Sequence, residues 1–114
     1  MSLLNLGRDV SGRTTFLRSK ADHIYNGVLT SLGGEQTITI PSDAKYWDVI
    51  FAVTPGASIW IAINQTAVVP SSSIATGTSE LNPVGYSRLL AGDVIHFITG
   101  DTSNDVSIAL YPSP

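Results

Sequence analysis

Chemistry at neutral pH would start from His23 or His96, the two side chains that ordinarily titrate there. Neither sits in a catalytic constellation. His96 alternates with Ile95 and Phe97 and reads as a half-buried strand residue with a hydrogen-bond partner. A metal site would need two or three further ligands, and Asp93, three residues back, falls on the opposite face of a strand. His23, beside Asp22, reads as a surface residue. No serine lies in a G-x-S-x-G elbow, no two acids have the look of a glycosidase dyad, and Gly33-Gly34 opens no helix that would cradle a phosphate. Asn64-Gln65-Thr66 fits the glycosylation pattern, which arises often by chance, and nothing else marks a secreted eukaryotic chain. Trp60 with Tyr86, or with Tyr111, has the chemistry to stack on a sugar ring, although aromatics in a small β domain more often serve the core or an interface. These residues predict no enzyme, no cofactor and no metal. Trp60, Tyr86, His96 and Tyr111 are the candidate subunit-interface residues of the body.

The segments that must position those residues read as β-strands. Tyr25–Thr30 is a first short strand, closed by the Gly33-Gly34 turn. Thr37–Ile40 alternates and stops at Pro41. Tyr46–Val53 places Trp47, Val49, Phe51 and Val53 on one face, and Ser58–Asn64 places Ile59, Ile61 and Ile63 on one face, with Trp60 opposite. The Pro55-Gly56 turn between them predicts an antiparallel hairpin. Which of Trp47 and Trp60 enters the core stays open. Pro70–Gly85 reads as a long polar loop, a kind that is often functional. Arg88–Leu90, Val94–Thr99 and Val106–Tyr111 follow, and Pro112-Ser113-Pro114 is expected to end the last strand. About seven short strands at spacings near ten residues predict an all-β protein, an antiparallel β-sandwich or jelly-roll-like barrel.

Length allows one domain: a body over residues 25–114 and an extended N-terminal arm over residues 1–24. Within the arm, the first 20 residues carry Arg8, Arg13, Arg18 and Lys20 against Asp9, leaving +3. Lys45 and Arg88 against eight acids leave −6 on the rest, which recovers the net −3. Four charges spread so thinly do not make a nucleic-acid site; a basic arm with Leu3, Leu4, Leu6 and Phe16 suits docking on an acidic protein surface. Charged residues make up only 13% of the chain, about half the usual share, so neighbours are expected to cover part of its surface. There are no cysteines, which excludes disulfides and thiolate metal sites. No apolar run reaches membrane-spanning length, and the N-terminus lacks the pattern of a secretory signal, so a soluble chain without a membrane role is expected.

Val49–Tyr111 resembles small virion structural proteins of tailed bacteriophages. The resemblance rests on the order of Trp60–Asn64 (WIAIN), Thr66–Pro70 (TAVVP), Gly77–Pro83 (GTSELNP), Gly92-Asp93, Val94–Ile98 (VIHFI) and Val106–Tyr111 (VSIALY). It covers a little over half the chain. It implies a β-sandwich or jelly-roll module on the virion: a capsid decoration (cement) protein, often a homotrimer, or a piece of a head or tail fibre or neck. It implies no catalytic residues. The expected partners are further copies of the chain and the major capsid protein or another virion protein. A carbohydrate-binding module built on Trp60 and Tyr86 is the alternative from another class.

Overall fold

The computed structural model describes residues 20–71 and 74–113. The strands are β1 (His23–Thr30), β2 (Gln36–Thr39), β3 (Tyr46–Val53), β4 (Ile59–Ile63), β5 (Glu80–Leu81), β6 (Gly85–Leu90), β7 (Val94–Thr99) and β8 (Ser103–Ser113), and no helix occurs among the described residues. They pair antiparallel, first with last: β1 with β8, β2 with β7, β3 with β6 and β4 with β5. The β3–β8 and β4–β7 pairings join them into two sheets, β1-β8-β3-β6 and β2-β7-β4-β5. This nested pairing is that of a jelly roll. Eight strands stand where about seven were expected, because β5 lies inside the stretch read as a single loop.

The hairpin expected between β3 and β4 is not formed. The two strands lie in different sheets. Both carry a strongly apolar face, and those faces bury against each other across the sandwich instead of lying side by side. Thr54–Ser58 is a corner between layers about 10 Å apart, with Gly56 at φ 82. Alternation nevertheless placed Val49, Phe51, Ile59 and Ile61 on the inner face, and Val53 and Ile63, read with them, are partly buried. Val49, Phe51, Ile59, Ile61, Ile95, Phe97, Val106, Ile108 and Leu110 form one buried cluster around Trp47. Trp47 is the core tryptophan, 0% exposed. Its indole N–H is shared between the carbonyls of Pro41 (3.0 Å) and Ala44 (3.2 Å), so the buried ring leaves no donor unsatisfied.

β8 runs on through Pro112, where an end was expected. Asp105 exchanges hydrogen bonds with Thr54 after β3, so odd residues of β8 turn their backbone groups towards β3 and even residues towards β1. Pro112 is even, and β1 pairs only as far as Leu110. The missing N–H therefore falls where no ladder partner is lost. β1 begins at His23 rather than Tyr25, and the Asp22 N–H already donates to the Leu110 carbonyl (3.0 Å). Leu3, Leu4, Leu6, Arg8, Arg13, Phe16 and Arg18 lie outside the described residues; Lys20 is exposed.

Two asparagines in the left-handed region hold the ends of β4. Asn82 (φ 45) gives its backbone N–H to the Ile59 carbonyl and accepts the Ile59 N–H on Oδ1, both at 2.8 Å. Asn64 (φ 58) does the same with Val94, again at 2.8 Å. In each case the carboxamide replaces the next backbone group of the ladder, which suits asparagine, a residue that tolerates this conformation.

Candidate functional site

The outer face of the β2-β7-β4-β5 sheet carries Trp60 and His96. Trp60 sits across from Ile98 and Leu81, and His96 lies across from Ala62. The segment after β4 folds over this face. It is held there by Glu35, whose Oε2 accepts the Ala67 N–H at 2.6 Å. Ser79 Oγ accepts the Val68 N–H (2.9 Å), and Thr78 Oγ1 donates to the Thr66 carbonyl (2.9 Å). Trp60 is thus half-covered, as its position opposite Ile59 and Ile61 required. It forms the floor of a cleft of about 480 Å³ walled by Val68, Pro70, Ile74, Thr76 and Thr78.

His96 is half-buried, as expected, but its buried Nδ1 lacks the hydrogen bond expected of it. Its Nδ1 stands 3.2 Å from Glu35 Oε1 without hydrogen-bond geometry, so the contact is an ion pair when the ring is protonated. The Ala67 N–H holds the Glu35 carboxyl below its ordinary 4.5; burial opposes it less strongly, and His96 adds smaller contributions in the same direction as the N–H. His23 pairs with Asp43, not with its neighbour Asp22: Nε2 lies 3.0 Å from Asp43 Oδ2, and its ring meets Trp47 edge-on at 5.2 Å. Among the described residues, no three His, Asp or Glu side chains converge to hold a metal.

The alternative sugar platform of Trp60 with Tyr86, or Trp60 with Tyr111, is not assembled, because both tyrosines belong to the other sheet. Tyr86 pairs with inward-facing Val49 and packs edge-on against Phe51 at 5.8 Å. Its hydroxyl donates to Glu80 Oε1 (2.9 Å). Burial, reinforced by that carboxylate, pushes its pKa up to about 12. Tyr111 is 3% exposed, which leaves almost none of its ring for a second chain. Of the four candidate interface residues, Trp60 and His96 share a surface; Tyr86 and Tyr111 do not join them.

Sequence reasoning missed a second concavity. β1 and β2 are the edge strands on one side of the sandwich, and a cleft of about 440 Å³ opens between them. Its walls include Tyr25, Gly27, Ile38, Phe97, Val106 and Ile108. The signal available in the sequence was β1 itself: HIYNGVLT, an uncharged strand with glycine at its centre. Both concavities are lined by uncharged side chains, apolar ones mixed with Asn, Gln, Ser and Thr.

No family model matches this chain, and no curated protein or solved structure matches it.

Proposed function

We propose that this chain is a non-enzymatic structural subunit of a phage virion: a homotrimeric decoration (cement) protein that binds the outer capsid surface and bridges capsomers. The observation that carries the reading is the amount of large apolar side chain that a closed jelly roll leaves outside. Leu32 is 100% exposed and Val84 82%, and Ile24, Val28, Val68, Leu81 and Leu90 are each about half exposed. Single exposed apolar residues are ordinary; this many on a small body with so few charges fit a protein that works covered by neighbours. The jelly roll is shared by viral capsid domains, and this support is analogy of fold alone. Arg8, Arg13, Arg18 and Lys20 would steer the arm to an acidic capsid surface, and apolar burial would hold it.

The test is the absolute mass in solution, by light scattering, of the full chain and of the chain lacking residues 1–19. A mass three times the 12.1 kDa of one chain in both is the expected result and places the threefold contact in the body. A monomer in both removes the reading. With the trimer in hand, the shortened chain should fail to sediment with purified capsids that the full chain coats.

A further inference from the structure

β1 is an eight-residue edge strand with none of the devices that normally protect one. Between His23 and Thr30 it has no Lys, Arg, Asp, Glu or Pro, and no described strand pairs with its outer side. The parity established at Asp105 fixes what that side presents. His23, Tyr25, Gly27 and Leu29 turn their backbone groups to β8, so Ile24, Asn26 and Val28 point their N–H and C=O groups outwards. The side chains divide the same way. Tyr25 and Gly27, opposite buried Ile108 and Val106, lie on the inner face; Ile24 (54% exposed) and Val28 (58% exposed) lie on the outer face on either side of Asn26.

We propose that this edge pairs antiparallel with the same edge of a second copy, about a two-fold axis through Asn26. That register is complementary to itself on both faces. On the outer face, Ile24 meets Val28 of the second copy and Val28 meets Ile24. On the inner face, Tyr25 of each copy lies across from Gly27 of the other, where a Cβ would meet nothing within 4 Å and the cleft between β1 and β2 is open. Each tyrosine thus covers the gap that the other chain's glycine leaves, the cross-strand arrangement that rescues a glycine in a sheet. About six backbone hydrogen bonds would form.

Charge at the edge itself does not oppose this occupant. The body is acidic, and β1 is where two acidic copies approach with no charged side chain of the paired strands between them. A strand pairing of this length covers on the order of 400 Å² per copy, about half of what a stable interface buries per partner. The contact is therefore weak alone and effective where copies are already held close, as on a lattice. The inference goes beyond the proposed function and does not depend on a threefold contact.

The chain has no cysteine, so Asn26→Cys supplies one thiol per chain, placed at the two-fold axis within disulfide reach. Oxidation by copper–phenanthroline, which takes up the two electrons as two thiols lose their protons, should give a band of two chains on a non-reducing gel. It should form at least tenfold faster than from Ser87→Cys, an exposed site on β6 at the opposite edge of the same sheet. Adding Ile24→Lys with Val28→Lys should slow it at least tenfold, and Ile24→Lys with Val28→Glu should restore it, because each lysine then faces a glutamate. Equal rates for Asn26→Cys and Ser87→Cys overturn the proposal, as does cross-linking indifferent to the charge pattern. One thiol per chain can join only two chains, so the result is read independently of any trimer.

Discussion

At the scale of single residues, the structure is fastened by carboxylates that hold backbone groups. Asp101 Oδ2 accepts the Ser58 N–H (2.9 Å) and Asn104 Nδ2 (2.8 Å), tying the start of β4 to the start of β8 across the sandwich. Asn104 and then Ser58 hold the Asp101 carboxyl below its ordinary 3.8, as His23 does for Asp43 and the Ala67 N–H for Glu35. A depressed carboxyl contributes stability that is complete above its unfolded value and is lost as pH falls through its folded one. The urea midpoint should therefore hold from pH 7 to about pH 5 and fall below it. Asp101→Asn should lower the midpoint at pH 7 and flatten part of that decline; an unchanged acid limb would contradict the assignment. Tyr86 gives the opposite sign, because its raised pKa favours the neutral phenol in the fold. Its stabilising effect is complete below the ordinary 10.0 and lost as pH climbs towards about 12. Absorbance titration should show a late tyrosine step that Tyr86→Phe removes. None of these partners was legible in the sequence, because Asp101 and Ser58, or Glu35 and Ala67, meet only once the sheets have stacked.

At the scale of elements, alternation revealed which side of each strand is buried and was silent about its neighbours. Val106, Ile108 and Leu110 were legible as inward because period two depends on the strand alone. The partners of β3 were not, because a Pro-Gly corner between two amphipathic strands serves a hairpin and a change of sheet equally well. The bulge on β6 shows the same limit. Trp47 pairs with Leu89 and Val49 with Tyr86, so Ser87 and Arg88 oppose Asp48 alone. Arg88 takes φ 54, its N–H goes to Asp48 Oδ1 (3.0 Å), and its guanidinium lies 4.0 Å from the Tyr46 ring centroid. Just before it, Gly85 lies so close to β3 that an added Cβ would stand 2.1 Å from the Val49 carbonyl oxygen. Gly85→Ala should push β6 from β3 and destabilise the fold by about 1–3 kcal/mol, the range of overpacking. Gly77→Ala, where a Cβ meets nothing, should change it by less than about 0.5 kcal/mol. Equal denaturation midpoints for the two would show that β6 is not seated as described.

At the scale of the whole molecule, the nested pairing ranks the strands by the loop each pairing closes. β4 and β5 have the shortest intervening chain of the four nested pairs, β3 and β6 enclose that pair, and β1 meets β8 only when nearly the whole body lies between them. Closing a longer loop costs more entropy before any contact compensates it, so the inner pairs should form first and β1 should dock last. Leu29 of β1 and Ile61 of β4 are both fully buried in the same cluster, and truncating either to alanine should cost about 2–5 kcal/mol. Their kinetics should differ. Ile61→Ala, in the inner pair, should slow folding. Leu29→Ala should leave the folding rate nearly unchanged and speed unfolding, because its contacts form after the barrier. Stopped-flow rates against urea separate the two: a Leu29→Ala variant that folds several-fold more slowly would place β1 in the nucleus and refute this order. If β1 docks last, it is also the first strand to loosen in the folded protein. Pairing with a second copy would then add hydrogen bonds where the sandwich is weakest, and assembly would tighten the strand that folding secures least.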